Sequence, residues 1–285
     1  MSALLKAHNL NKHYGKFQAL KNINIDIERG KVVGLIGPNG AGKTTFLKAV
    51  LGLAPCDGDL SVMGIDPFRK RSELMKDICF IADVAVLPKW IQVKQLLDYT
   101  EQVHPNFNRQ KAETLIAKTK VKLSHKVKEL SKGMVAQLHL AIVMAIDAQL
   151  LVLDEPTLGL DILFRKEFYD NLINDYFNNE RTIIITTHQV EEIEHILTDV
   201  VFIKDGEIVL NSDMESLTRD YFEVMVNQDN YQQAMALNPL TVKKVFGRYI
   251  MLFKSASRDQ VEVLGDVQRP SVSDLFVAIM KEDQA

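Results

Sequence analysis

Only two cysteines, Cys56 and Cys79, occur in 285 residues, and they form neither a CxxC pair nor a group with histidines. Two isolated thiols exclude a disulfide scaffold and point to a reducing, cytosolic compartment. No apolar run reaches the roughly 18 to 20 residues that span a bilayer; the longest, Leu138 to Leu153, is interrupted by His139, Asp147 and Gln149. The opening Met1-Ser2-Ala3-Leu4-Leu5-Lys6 has no basic stretch ahead of an apolar one, so no signal peptide is expected. Neither sign of charge dominates: 34 Lys+Arg against 37 Asp+Glu leave −3, without the bulk positive field of a dedicated nucleic-acid binder. Low-complexity runs and internal repeats are also missing. What remains is an average globular composition, 47% apolar and 25% charged. At roughly 100 to 200 residues per domain the length suits one large domain with an appendix.

The patterning predicts an α/β fold. Residues 3 to 28 read as strands, with Ile23-Asn24-Ile25-Asp26-Ile27 alternating as a half-exposed antiparallel strand does. The continuous run Val32-Val33-Gly34-Leu35-Ile36 reads as a strand buried on both faces, ending in a glycine-rich turn before a helix from Lys43 to Leu51. Residues 69 to 78 and about 91 to 120 carry helical spacing, the second stretch broken into pieces by Pro88 and Pro105, and this middle third reads as a helical insert, about 84–135. A helix from Ser131 to about Ile146 precedes the buried strand Leu150 to Leu153. A helix over 162 to 178, a strand over Thr182 to Thr186 and a short helix over Val190 to Leu197 follow. Asp205-Gly206 marks a hairpin between Val200 to Lys204 and Glu207 to Asn211. Residues 215–285 mix short strands, among them Phe222 to Val226 and Tyr249 to Phe253, with helical pieces. They read as a small α+β accessory region after a main domain over 1–214.

The chemistry concentrates at Gly37-Pro38-Asn39-Gly40-Ala41-Gly42-Lys43-Thr44, which fits GxxxxGK[ST] between a predicted buried strand and a predicted helix. Glycines let successive backbone N–H groups face phosphates, the helix N-terminus adds positive potential, Lys43 neutralises the β and γ phosphates, and the Thr44 hydroxyl suits Mg²⁺. A P-loop alone leaves kinases, GTPases and motor-type ATPases open. Asp154-Glu155, an acidic pair ending a buried strand, supplies one carboxylate for Mg²⁺ and an adjacent one to orient water, so Glu155 is the catalytic candidate. A guanine-reading Asn-Lys-x-Asp is absent: the only Asn-Lys, Asn11-Lys12, precedes the P-loop and continues His13-Tyr14.

With these motifs the chain resembles the ATP-binding cassette ATPases over roughly residues 3 to 211. The P-loop extends through Thr45, and Leu130-Ser131-Lys132-Gly133-Met134 resembles the family signature Leu-Ser-Gly-Gly-Gln. Pro156-Thr157-Leu158-Gly159-Leu160-Asp161 is similar to the D-loop, and Thr187-His188 after a strand is similar to the switch histidine. The resemblance implies a P-loop NTPase cassette: an antiparallel β subdomain, a mixed core sheet and a helical insert. It also implies an active unit of two cassettes, the same chain twice or two different ones, packed head to tail around ATP and Mg²⁺. Ser131 and Gly133 would face the γ-phosphate held by the opposite Lys43, Asp161 would run along the seam, His188 would touch the γ-phosphate and Glu155 would activate water. Tyr14, followed by Gly15, stands where the family places an adenine-stacking aromatic, with His13 and Phe17 as alternative neighbours.

Two departures from the pattern stand out. Asp83, some forty residues after Lys43, replaces the Q-loop glutamine; a carboxylate there can still approach Mg²⁺ or its waters but alters the link between nucleotide and membrane partner. Lys132 and Met134 vary the signature in the manner of bacterial export-type cassettes, and Pro270-Ser271-Val272-Ser273-Asp274-Leu275-Phe276 resembles the Pro-Ser-x-x-Asp-x-Phe ending of many of them. The expected partner is a separately encoded integral-membrane permease, which would hold the protein on the inner face of the cell membrane. Its docking surface is expected around Val86, Leu87, Trp90 and Ile91. The competing class is a soluble cassette acting in assembly or regulation.

Overall fold

The alternating stretch at 23–27 lies in the second of two 12-residue antiparallel strands, β1 (Ala3–Tyr14) and β2 (Phe17–Glu28), which bring Tyr14 opposite Phe17. The computed structural model describes residues 3–82, 87–158, 160–178, 180–254 and 258–282. After β2 come β3 (Val32–Ile36), α1 (Lys43–Val50), β4 (Asp57–Val62), α2 (Arg71–Leu74) and β5 (Ile78–Ile81). Three helices follow, α3 (Val93–Val103), α4 (Arg109–Ala117) and α5 (Lys132–Met144), then β6 (Leu150–Asp154), α6 (Ile162–Asn171), β7 (Thr182–Thr187), β8 (Asp199–Lys204) and β9 (Glu207–Asp213). The remainder is α7 (Met214–Asp220), β10 (Tyr221–Val226), α8 (Tyr231–Met235), β11 (Thr241–Val245), β12 (Arg248–Lys254), α9 (Arg258–Glu262), β13 (Gly265–Gln268) and α10 (Val272–Glu282).

A six-stranded sheet of order β5-β6-β7-β3-β8-β9 carries the molecule, parallel except for β9 at its edge. Its apolar runs are explained by burial on both faces. Val33, Leu35, Leu150, Val152 and Ile184 turn to one side, where they meet α1 and residues of the antiparallel sheet β2-β1-β4. Val32, Ile36, Leu151, Leu153, Ile183 and Ile185 turn to the other, against α5, α6 and α10. The period of two along each strand therefore builds two cores from one sheet. Asp205 and Gly206 both have positive φ, +48° and +83°, as the β8–β9 turn demands. Helices α3, α4 and the start of α5 close a separate core around Val93, Leu97, Ala112 and Leu138.

The accessory region is a four-stranded antiparallel sheet, β11-β12-β10-β13, with its own small core of Val224, Val226, Met251 and Phe253. Its last helix belongs to the main core. Val272, Leu275 and Ala278 of α10 pack with Val190, Ile193 and Phe202, and the Phe276 and Phe202 rings meet edge to face at 5.3 Å. The tail motif has a local cause: Asp274 N–H donates to Ser271 Oγ at 3.0 Å, Ser271 Oγ donates to Asp274 Oδ2 at 2.8 Å, and Val272 N–H donates to Glu194 Oε2 at 3.1 Å. Ser271 thus caps the start of α10 and is itself held by Asp274, while Glu194 anchors the helix to the turns after β7.

Three expected elements differ. The helix expected over 69–78 shrinks to Arg71–Leu74, because Ile78 to Ile81 are captured as a strand by parallel pairing with Leu150 to Leu153. The helix expected over Val190 to Leu197 is two 3₁₀ turns, Val190–Glu192 and Glu194–Ile196. Its apolar residues 190, 193 and 196 recur every third position, the period of a 3₁₀ helix. The helix over 162–178 becomes π-helical after Asn171, from Leu172 to Tyr176.

Candidate functional site

Between β3 and α1 the chain turns sharply enough to need glycine. Gly40 and Gly42 have φ of +83° and +108°. A Cβ on Gly37 would lie 2.4 Å from the Ile203 carbonyl oxygen, so this residue must have none for β8 to pass. Helix α1 starts at Lys43 without any side-chain cap, leaving its first N–H groups to whatever anion enters. That uncapped start beside a glycine cradle fits a phosphate chain. Lys43 is 7% exposed, and its Nζ donates to the carbonyls of Gly37 at 2.7 Å and Pro38 at 3.2 Å. Burial pushes the Lys43 ammonium below its ordinary value, opposed by the charges of Glu155 and Asp154. An entering phosphate would replace two neutral carbonyls with a formal charge.

The strand ends supply the acids. Asp154 is 5% exposed and holds both oxygens in hydrogen bonds: Thr44 Oγ1 donates to Oδ2 at 3.1 Å, and Thr186 Oγ1 donates to Oδ1 at 2.6 Å. The next residue, Glu155, has a positive φ of +50°, an unfavourable conformation for a non-glycine residue. Its N–H donates to Thr186 Oγ1 at 3.1 Å and to the Thr186 carbonyl at 3.2 Å, which holds the turn. The turn directs the Glu155 carboxylate to His188 Nδ1, 2.8 Å away. An ionised carboxylate only accepts, so in this contact Nδ1 is the donor.

A cleft of about 350 Å³ joins these groups, lined by Tyr14, Phe17, Asn39 to Thr45, Asp154 and Glu155. Tyr14 and Phe17, 48% and 63% exposed, stand side by side at its mouth, with Lys12 Nζ 5.1 Å from the Tyr14 ring centre. The structure therefore brings together Tyr14, Asn39 to Thr45, Asp154, Glu155 and, through Glu155, His188. Gly37 and Pro38 reach the site through the carbonyls that hold Lys43. Ser131, Gly133 and Asp161 lie outside the cleft. Ser131 Oγ accepts from Met134 N–H at 3.2 Å at the start of α5, and Asp161 Oδ1 accepts from Phe164 N–H at 3.1 Å at the start of α6. Gly133 packs under Phe164, whose ring would lie 3.0 Å from an added Cβ. Asp83 and Val86 fall outside the described residues. In the surface expected to meet a permease, Trp90 is 72% exposed whereas Ile91 is buried in the core of the helical insert.

The model for the family described as ABC transporter matches residues 20–158. A lantibiotic transport ATP-binding protein, SrtF of Streptococcus pyogenes, is 33% identical over 74% of this chain and 92% of its own length. The chain belongs to the ABC transporter family. A second relative of this ABC ATPase, the sulfate/thiosulfate import ATP-binding protein CysA of Neisseria meningitidis, is also 33% identical, over 74% of this chain and 62% of that one. Among solved structures, an ATP-binding subunit of an ABC transporter superposes with a TM-score of 0.69 at 23% identity, covering 76% of this chain and 92% of that chain. The expected α/β P-loop fold and ATPase assignment both hold: the protein is an ATP-binding, ATP-hydrolysing transporter subunit. No described helix is long and apolar enough to cross a membrane.

Sequence reasoning missed Thr186, Arg165 and Glu192. Thr186 is fully buried and holds both Asp154 and Glu155, yet in the sequence it is only the polar end of an isoleucine-rich strand. The other two are recognisable only from their contacts across the fold.

Proposed function

We propose that this ABC ATPase powers an exporter, hydrolysing ATP at sites shared by two cassettes and driving a separately encoded permease. The observation that carries the reading is the Glu155–His188 pair at 2.8 Å beside the buried Asp154–Thr44 contact, at the open end of a P-loop cleft. Lys43 and the backbone of 39–45 bind phosphate, Tyr14 and Phe17 receive the base, and Glu155 takes the proton of an attacking water while His188 holds its carboxylate in place. Mg²⁺, when bound, offsets phosphate charge. The residues for it are Thr44 and Asp154, with Asp83 as a further candidate. With so few protein ligands, Mg²⁺ would be held jointly with nucleotide phosphates and water.

Ser131, Gly133 and Asp161, exposed or half-exposed at two helix starts away from the cleft, are the surface for the opposite cassette's nucleotide. Export is favoured by the lantibiotic transport relative and by the tail motif at 270–276; the sulfate/thiosulfate import relative has equal identity, so direction rests on the tail and on Lys132 and Met134. Residues 1–214 serve as the cassette and 215–285 as an accessory region joined to it through α10. The permease, docking at Trp90, holds the assembly on the inner face of the membrane. Light scattering of Glu155→Gln with and without MgATP tests the shared site. A mass rising from about one chain to about two supports two copies of this chain. A mass of one chain despite bound ATP assigns the second cassette to another polypeptide.

A further inference from the structure

Arg165, on the first turns of α6, is the point where two catalytic segments meet. Its side chain is 15% exposed. Nε donates to the carbonyl of Leu160, one residue before Asp161, at 2.7 Å. Nη1 donates to Glu192 Oε1 at 2.7 Å and also to Gln189 Oε1, the residue directly after His188. One planar guanidinium thus holds the D-loop from one edge and the switch-histidine segment from another, an arrangement a lysine ammonium cannot copy because it lacks the fixed fork of donors.

The surroundings reinforce the link. Thr157 Oγ1 and Tyr169 Oη lie 3.2 Å apart and buried, tying the start of the D-loop to α6 a second time. Glu192 is 26% exposed, and its second oxygen, Oε2, is buried with no hydrogen-bond partner among the described residues. A half-buried carboxylate satisfied mainly by one guanidinium is left with its inner oxygen poorly compensated if that partner is lost. Glu155, just before the D-loop, adds a further link: its N–H reaches Thr186 and its carboxylate meets His188.

We propose that Arg165 is a positioning residue that locks the turn carrying Asp161 to the turn carrying His188, so that the dimer seam and the hydrolytic pair move as one body. The inference rests on reading Glu155 and His188 as the hydrolytic pair, and it concerns how the seam is coupled to them. The hydrogen bonds shown for the Arg165 side chain go to Leu160, Gln189 and Glu192, none of them lining the nucleotide cleft, so its loss should act on turnover and spare ATP capture.

The test compares Arg165→Lys, Arg165→Ala, Glu192→Gln and the double variant Arg165→Ala/Glu192→Gln in the full chain. Each single change should lower kcat about tenfold or more with KM for ATP within about twofold, and the double variant should be no slower than Arg165→Ala. Glu192→Gln should also speed amide exchange at Leu158 and Leu160, which Glu192 does not touch and whose N–H groups bond to Glu155 and Thr157 carbonyls. Multiplying kcat losses in the double variant, kcat and KM worsening together, or unchanged exchange at 158 and 160 would each overturn the inference. Arg165→Lys and Glu192→Gln carry the comparison if Arg165→Ala does not fold. An unsubstituted chain without ATPase activity would overturn the hydrolytic reading, and the exchange measurement would then decide the positioning role by itself.

Discussion

His188 Nδ1 sits 2.8 Å from the Glu155 carboxylate although 33 positions separate the two residues. Parallel pairing of β6 with β7 creates this meeting: it sets Asp154 beside Thr186, so the residues that follow each strand leave the sheet at the same edge. The positive φ of Glu155 then turns its side chain across the gap. His188→Ala should lower kcat about a hundredfold, the lower range for losing an acid–base or orienting group, with ATP affinity little changed. Steady-state ATPase assays beside equilibrium nucleotide binding check this; equal losses in both would show that His188 serves binding instead.

Gly37→Ala should damage the cradle without touching any charged group. The new methyl would meet backbone of β8, the Ile203 carbonyl oxygen at 2.4 Å, and backbone cannot rotate aside. A cost of about 1 to 3 kcal/mol is expected, with ATP affinity reduced at least about tenfold as the loop shifts. Urea unfolding paired with nucleotide titration measures both; wild-type values in either would mean the loop relaxes freely.

Acid should weaken the fold through His139. Burial pushes this imidazole down to about 4, against about 6.5 in an unfolded chain. Between those values the unfolded chain binds a proton that the folded chain does not, so stability falls as pH drops from about 6.5 towards 4. Burial lowers His104 too and adds to the same limb. His139→Gln should flatten the loss between pH 7 and 5 in urea melts, while an unchanged slope would place the acid sensitivity elsewhere.

Trp90 is exposed while its neighbour Ile91 anchors the same turn in the helical core. Removing the indole therefore deletes surface without opening a cavity. Trp90→Ala should retain ATP binding and melting temperature but lose most copurification with the cognate permease, as an aromatic anchor at an interface would. Undiminished copurification would move the docking surface away from this turn.

The buried strands were legible because the apolar runs at 32–36 and 150–153, bounded by turn and charged residues, read as strands buried on both faces, and the P-loop and Asp154-Glu155 were legible because their chemistry is local. The Asp205-Gly206 turn was equally plain, since both positions need positive φ. Strand β5 was hidden because Ile78-Cys79-Phe80-Ile81 becomes a strand only by pairing with β6, far along the chain. Edge strand β11, Thr-Val-Lys-Lys-Val, has little apolar signal, and it is held by β12 on one side only. Thr186, Arg165 and Glu192 escaped notice for a related reason: what each does depends on a partner between 27 and 32 positions away.

The most direct test is single-turnover hydrolysis of ATP by Glu155→Gln beside the unsubstituted chain, with bound nucleotide quantified in both. The account predicts that Glu155→Gln binds ATP at least as well and retains it intact, with cleavage slowed about a hundredfold or more. Cleavage at the unsubstituted rate would contradict the assignment of Glu155 as the group that activates water.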